Sequence, residues 1–272
     1  MSWALVRERG ADLVARVVRR AVVDDDDLDI FDSMGLTRGE RICYNLRTYN
    51  AKLVVSMRNL TSRQIATLHQ FGDAPFSLAA IQPLFPDKKS YRVAASLVQA
   101  GILLRLKRDL FVLSEQILGH PIDRYVVANR LCAPSYVSRE AALSYAGLIP
   151  EHVVNMTCSR LGRPVEFETP IGGFQYAAVD SAVYAVGLCE MASGENRFLC
   201  ATPEKALYDL VIVRSHLNIR SRVEMRRFLF EDLRLSTEDH VFDEAVFDEL
   251  LANGRKKRMV QLMKEVLCHG SV

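Results

Sequence analysis

Residues 59–113 follow one order: three short helical patterns separated by glycine or proline, then two β-rich segments. We expect the first helix to be capped at Thr61 and to stop at Gly72, because threonine bonds free helical amides and glycine ends helices. The second helix should open at Phe76-Ser77 and be ended by Pro83 and Pro86, because proline blocks a helix interior. This order constrains the fold more than any other feature, and it predicts a winged helix-turn-helix.

The third helix is predicted over 88–100, with Asp87 as its N-cap. An apolar stripe would face the core, and a polar face would lie opposite it. The polar face comprises Lys88, Lys89, Arg92, Ser96 and Gln99. In a recognition helix such residues meet the major groove, where lysine and arginine suit phosphate or guanine and glutamine suits adenine. A solvated helix face has the same composition, so this helix alone leaves both interpretations open.

The segment after the third helix indicates two short strands. Residues 102–113 alternate apolar and polar side chains on the first limb and continue as a β-rich second limb. The turn is predicted near Lys107-Arg108-Asp109, where glycine would tolerate a left-handed backbone better than aspartate does. Arg105, Lys107 and Arg108 are therefore candidates for contacts with DNA phosphates beside the recognition helix.

The formal net charge of +2 conceals an uneven distribution. Residues 59–113 carry seven basic and three acidic side chains, whereas residues 114–272 carry eighteen and twenty-one. A basic module therefore precedes a slightly acidic one, and this asymmetry favours nucleic acid as the partner of the first. Residues 1–58 form an extension whose structure the sequence does not define.

Several classes of protein and site are disfavoured. The longest run without charged or strongly polar residues is about eight residues, Ala182 to Cys189, whereas a membrane span needs roughly twenty. The six cysteines include no C-x-x-C pair, which argues against a zinc site and favours reduced thiols in the cytoplasm. Arginines interrupt the apolar stretch near the N-terminus, so we expect no secretory signal. No Walker A, G-x-G-x-x-G or G-x-S-x-G motif is present, so we expect no cofactor and no catalytic residues.

Residues 114–272 are predicted to form a mixed α/β domain with C-terminal helices. One helix should run from the N-cap Ser138 through Tyr145, and another should open at the cap Thr202. Strands are predicted over 174–179 and 183–186, and the final helix is predicted to begin within 255–258. The expected fold class is therefore α+β, with an extension over 1–58, a winged helix-turn-helix over 59–113 and a mixed α/β domain over 114–272.

Three segments of the chain carry a resemblance to a known family. They are "PSYVSREAALSYAGLIPEHV" (134–153), "GGFQYAAV" (172–179) and "ATPEKALYDLVIV" (201–213), in this order behind the predicted winged helix. Over about residues 60–235 the chain resembles the AbiEi-type antitoxin family, whose members are also described as predicted transcriptional regulators of viral defence systems. The wing departs from the family pattern of a basic residue, glycine and an aromatic, because Arg108 is followed here by Asp109 and Leu110.

The resemblance implies a type IV toxin–antitoxin protein of a bacterial system for abortive phage infection. Its winged helix would bind inverted repeats in double-stranded DNA at its own promoter and repress transcription. Its C-terminal domain would counteract, directly or indirectly, a nucleotidyltransferase-like toxin encoded beside it. We expect a cytoplasmic protein with no membrane partner, monomeric or weakly dimeric, with two copies on a two-fold operator.

Three further groups of residues are candidates for contacts with DNA or the toxin. They are Arg160 and Arg163; Glu204 and Lys205; and Arg255, Lys256, Lys257 and Arg258. A solvated turn is the alternative for the first group, and helix capping is the alternative for the second. Four basic residues at a helix N-terminus oppose the helix dipole, so an acidic partner could compensate for the third.

Two other functions stay open at the level of sequence. The winged helix could be a protein-interaction module that does not bind DNA, because a fold does not fix a function. The second domain could be an enzyme that acts on the toxin or on nucleotides, because active sites assemble from residues distant in sequence.

Overall fold

The protein combines helices and sheets in two compact units, divided between Ile122 and Asp123. The structure is a computed structural model, and it describes residues 62–150, 153–194, 196–238 and 240–269. These residues form ten α-helices and two sheets, which confirms the α+β class. None of the helices in these ranges has both the length and the apolar character needed to cross a membrane. The extension predicted over 1–58 and the cap predicted at Thr61 lie outside the described residues.

The first unit consists of short helices and a small antiparallel sheet. Its elements are α1 (Ser62–His69), β1 (Phe76–Ser77), α2 (Leu78–Ile81), a 3₁₀ turn (Gln82–Leu84), α3 (Ser90–Gln99), β2 (Leu103–Lys107), β3 (Leu110–Leu113) and α4 (Glu115–Leu118). The strands lie in the order β1-β3-β2. The β2–β3 hairpin turns at Arg108 and Asp109, as the sequence predicts.

One apolar core holds this unit together. Its buried side chains include Leu68, Ile81, Leu97, Leu103 and Leu113. Phe71 and Phe76 stack beside them, with ring centroids 4.1 Å apart. Burial of each such side chain is worth about 1.5–3 kcal/mol. The core therefore fixes α3 and the hairpin through the faces that they turn inward.

Two boundaries predicted in this unit are wrong. Phe76 does not open α2 but lies in β1, because it pairs with Phe111 of β3 across the sheet. α3 begins at Ser90 rather than two residues earlier, because the backbone of Lys89 is extended and serves as the N-cap. Asp87 is therefore not the cap of this helix.

The second unit has a six-stranded mixed sheet and six helices. Its elements are α5 (Arg124–Leu131), β4 (Ser135–Val137), α6 (Arg139–Tyr145), β5 (Met156–Arg160), β6 (Val165–Thr169), β7 (Gly172–Ala178), a 3₁₀ turn (Ser181–Val183), β8 (Leu188–Ser193), β9 (Asn196–Ala201), α7 (Pro203–Val213), α8 (Arg222–Arg227) with a π-helical turn (Phe228–Asp232), α9 (Glu244–Asn253) and α10 (Lys257–Cys268). The strand order is β6-β7-β5-β4-β9-β8, and the pairs β5–β7 and β4–β9 are parallel.

Helices α5 and α7 lie on opposite faces of this sheet. The Tyr176 hydroxyl of β7 donates to the Ala128 carbonyl of α5 at 2.7 Å. Ser159 of β5 is in register with Ala177, the next residue of β7, and its hydroxyl donates to Asp209 of α7 at 2.9 Å. Because successive side chains of a strand alternate between faces, these two bonds place one helix on each side.

The predicted elements of the second unit are confirmed with one exception. α6 ends at Tyr145, and Gly147 follows it with a left-handed φ of 71°. The final helix begins at Lys257, inside the predicted range. Residues 183–186 are not a strand, because Val183 ends a 3₁₀ turn and Gly187 redirects the chain with a φ of 62° before β8 begins.

Gly187 and Gly194 form a matched pair for a test of packing. Both have a left-handed backbone, with φ of 62° and 59°. A Cβ at Gly187 would lie 2.9 Å from Lys205 Cβ and 2.9 Å from Thr202 Oγ1, whereas one at Gly194 would meet no described atom within 4 Å. We expect Gly187→Ala to lower the free energy of unfolding by about 2–4 kcal/mol and Gly194→Ala by about 1 kcal/mol, since only the first adds overlap to backbone strain. Urea denaturation measures both, and equal losses would show that overlap contributes nothing.

Candidate functional site

The residues of α3 that the sequence assigns to DNA are all exposed. Lys88 precedes the helix, Lys89 is its N-cap, and Arg92, Ser96 and Gln99 lie on its outer face. Among the described carboxylates, none forms an ion pair with Lys88, Lys89 or Arg92. The positive charge of this face is therefore not neutralised by described side chains, while the opposite face packs into the core.

A side-chain amide holds the approach to α3. Gln82 Nε2 donates to the carbonyl oxygens of Phe85 and Lys88, at 3.4 Å and 3.2 Å. Pro83 and Pro86 lie in the same segment, and their rings restrict φ. These constraints fix the backbone from which the first two lysines of the polar face project.

The hairpin presents its three predicted basic residues to solvent. Arg105, Lys107 and Arg108 are all exposed. Asp109 adopts a left-handed φ of 60°, and its carbonyl accepts a hydrogen bond from Leu78 N at 3.3 Å. Arg108 Nε lies 3.7 Å from Asp109 Oδ2, with side chains 90% and 63% exposed. An ion pair this exposed is weak, so it leaves the arginine able to bind an external anion.

Arg160 and Arg163 flank the turn between β5 and β6. Arg160 Nη1 donates to the Arg163 carbonyl at 3.3 Å, and the Arg160 side chain is half-buried. The Arg163 side chain is exposed. Arg160 therefore helps to close the turn, and Arg163 is the member of the pair placed for an external contact.

Residues 255–258 divide between internal and external roles. Arg255, Lys257 and Arg258 are exposed, whereas Lys256 is half-buried. Lys256 Nζ donates to the carbonyls of Val211 and Arg214 at the end of α7, at 2.9 Å and 3.1 Å. Burial lowers the pKa of Lys256. The negative C-terminal end of α7 is thus stabilised by the charge of Lys256, a residue that the sequence assigned to an external partner.

Glu204 and Lys205 are buried at the start of α7, where the two residues are 2% and 0% exposed. The Glu204 carboxylate accepts a hydrogen bond from Asp243 N at 2.8 Å. In this conformation neither side chain is available to DNA or to a toxin. Thr202 occupies the N-cap position as predicted, but its hydroxyl makes no capping bond.

The Asp209 carboxylate collects four polar groups inside the second unit. Its Oδ2 accepts hydrogen bonds from Tyr136, Ser138 and Ser159, at 2.8, 2.7 and 2.9 Å. Its Oδ1 lies 2.9 Å from Lys205 Nζ. We call these five residues the Asp209 cluster. Ser138 is at the N-cap position of α6, as predicted, but its hydroxyl bonds Asp209 instead of the helix amides.

Burial sets the protonation behaviour of the Asp209 cluster. It lowers the pKa of Lys205, and the charge of Asp209 opposes that shift. It also raises the pKa of Tyr136, with the charge of Asp209 adding to the effect, so the phenol remains a donor. Lys205 Nζ lies 4.9 Å from the centroid of the Tyr208 ring, which adds a cation–π contact. Both carboxylate oxygens are occupied, and the geometry is that of a structural tie between strands and helix.

A shallow pocket borders the Asp209 cluster at the carboxyl ends of β5 and β7. Ser159 and Asp209 line it together with Asp180, Tyr208 and Arg255. Tyr208 is itself engaged, because its hydroxyl accepts a hydrogen bond from Arg255 N at 3.0 Å. The pocket thus carries polar groups, but the cluster residues at its edge already bond one another.

Sequence reasoning missed three residues that organise these regions. Asp209 could have been found from the sequence, because it is an acidic residue in an apolar helical run, four residues after Lys205. Tyr91 could have been found from its position beside Arg92. No sequence pattern indicated the role of Arg139. This residue is 7% exposed and has a left-handed φ of 55°, and its Nη2 donates to two strand carbonyls at 3.0 Å.

Comparisons with known proteins identify no relative: no family model and no curated protein matches the chain. In the part of the chain that the structure describes, no group of three or more histidine, cysteine or acidic side chains is arranged to hold a metal ion.

The Asp209 cluster predicts an order of stabilities. Asp209→Leu removes the acceptor of three hydroxyls and leaves the Lys205 ammonium buried and unpaired, so we expect a loss of about 3–5 kcal/mol in the free energy of unfolding. Lys205→Met leaves Asp209 with three donors and should cost about 1–3 kcal/mol. Urea denaturation at pH 7 measures both variants. A larger loss for Lys205→Met would contradict the role of Asp209 as the shared acceptor.

Proposed function

We propose that this chain is a DNA-binding antitoxin that represses its own promoter. In this proposal the first unit is a winged helix-turn-helix, α3 is its recognition helix, and the β2–β3 hairpin is its wing. The observation that carries the proposal is the exposed polar face of α3, whose cations form no ion pair with a described carboxylate. The order of three helices before a basic hairpin supports it.

The side chains on this face suit a DNA duplex. Lys88 and Lys89 stand at the N-terminal end of α3, which is the end of a recognition helix nearest the bases. Arg92 carries paired donors, as a contact with guanine requires. Gln99 carries a donor and an acceptor, as a contact with adenine requires. Most of the affinity would come from phosphate contacts and would fall steeply with salt concentration.

The antitoxin part of the proposal rests on the second unit and on the family resemblance. The three similar segments fall on β4 with α6, on β7, and on α7. Two of them supply Tyr136, Ser138, Lys205 and Asp209 to the Asp209 cluster, so they belong to one packed core. We propose that this domain counteracts a nucleotidyltransferase-like toxin without catalysing a reaction, in the cytoplasm, with two copies of the chain on a two-fold operator.

Promoter binding tests the regulatory part. The chain is titrated against its own upstream DNA in a mobility-shift assay, with unrelated competitor, at two salt concentrations. We expect a specific shift that survives the competitor. Lys107→Ala with Arg108→Ala should weaken binding on every sequence and reduce the salt slope by about two, whereas Arg92→Ala or Gln99→Ala should relax specificity by about 1–3 kcal/mol.

Arg130→Ala is the matched control, because Arg130 is an exposed arginine on α5, in the other unit. It should change neither affinity nor salt slope. Equal losses on all DNA for the α3 and hairpin variants would refute the assignment of α3 as the recognition helix. No competitor-resistant binding by the unaltered chain would refute DNA regulation and favour the protein-interaction module.

Co-expression with the neighbouring nucleotidyltransferase-like protein tests the antitoxin part. We expect the unaltered chain to restore growth. The Lys107→Ala/Arg108→Ala variant should restore growth equally when both genes are driven from foreign promoters, because its changes lie outside the second unit. Growth that stays arrested with the unaltered chain, at matched protein levels, would refute the antitoxin function.

A further inference from the structure

An exposed tyrosine stands beside the arginine on the outer face of α3. Tyr91 is 54% exposed. Its hydroxyl accepts a hydrogen bond from Arg92 Nε at 3.2 Å. The guanidinium carbon of Arg92 lies 5.9 Å from the centroid of the same ring. The two contacts orient the guanidinium along the phenol ring while both side chains stay exposed to solvent.

This pairing selects which donors of Arg92 remain for a ligand. The Nε donor is engaged by the phenol, whereas the two terminal Nη groups donate to no acceptor in the described part of the chain. The Nη groups are the end of the planar fork that matches two acceptors side by side. Guanine presents such a pair, O6 and N7, in the major groove.

Holding the fork also changes its selectivity. A free arginine samples many rotamers and loses that freedom when it binds, whereas an arginine already held in place loses less. A flexible arginine can bond any phosphate within reach, but a fixed fork bonds two acceptors only where their positions match. Lys88 and Lys89 make no comparable side-chain contact with a described residue, so they suit phosphate.

We propose that Tyr91 is a positioning residue that presents Arg92 to one guanine in each half of the operator. The inference rests on the proposed DNA-binding function and adds the base that is recognised. Tyr91 acts through Arg92 and makes no contact with the base itself.

The test replaces guanines of the operator one at a time by 7-deazaguanine, which lacks the N7 acceptor. With the unaltered chain, replacement of one guanine in either half of the operator should lower affinity about 5-fold to 100-fold. Arg92→Ala should abolish that sensitivity, and Arg92→Lys should do the same while keeping affinity for unrelated DNA, because lysine keeps the charge without the fork.

Tyr91→Phe keeps the ring and removes only the hydroxyl. It should lower operator affinity about 2-fold to 10-fold, reduce the 7-deazaguanine effect, and leave affinity for unrelated DNA unchanged. In the Arg92→Ala background it should have no further effect. Unchanged thermal unfolding of each variant excludes a loss of folding as the cause.

Two results would overturn the inference while the proposed function stands. If Tyr91→Phe weakens binding to operator and unrelated DNA alike, Tyr91 is a phosphate contact. If Tyr91→Phe leaves the 7-deazaguanine effect intact, Arg92 needs no positioning. Failure of the unaltered chain to bind any operator is a different result, because it refutes the proposed function itself.

Discussion

The carboxylate of Asp209 binds together elements of the second unit that come from three parts of the chain. Tyr136 and Ser138 approach it from around β4, Ser159 from β5, and Lys205 from one turn earlier in α7. A buried carboxylate without partners is costly, and each charged hydrogen bond is worth about 1.5–3 kcal/mol. A shift of α7 along the sheet would leave the Asp209 carboxylate without its hydrogen-bond donors, so these bonds specify one register of the helix against the strands. The position of α9 depends on that register, because α9 packs against α7, and α10 packs in turn against α9.

The sequence predicts a structural feature well when the residues that determine it lie close together along the chain. The α3 stripe, the hairpin turn and the end of α6 at Gly147 follow from residues close in sequence, and they were predicted. Phe76 joined a strand because of Phe111, thirty-five residues away, and no local pattern reports such a pair. The burial of Lys205 also depends on distant residues: a lysine near a helix start is usually solvated, and although its partner Asp209 lies only four residues along α7, the strands that enclose the pair come from elsewhere in the chain.

The candidate basic side chains of the two units differ in their surroundings. In the first, lysine and arginine stand on surfaces where water screens them and an external anion can replace that water. In the second, Lys205 lies beside the Asp209 carboxylate, and Lys256 and Arg139 donate to backbone carbonyls of the same unit. Net charge therefore describes neither unit well. The α3 candidates Lys88, Lys89 and Arg92 form no ion pair with a described carboxylate, whereas Lys205 and Lys256, which also seemed candidates from the sequence, are held inside their own unit.

The bonds from residues 255 and 256 to α7 bear on how the protein would be degraded in a cell. Lys256 covers the last carbonyls of α7, and Arg255 donates its amide to the hydroxyl of Tyr208. A protease that cuts the chain after Gly254 would release both contacts at once. The exposed end of α7 would then fray toward Asp209, one turn inward, and the buried ammonium would gain access to water. A single cut in this connection would in this way loosen the end of α7 that lies beside the Asp209 cluster.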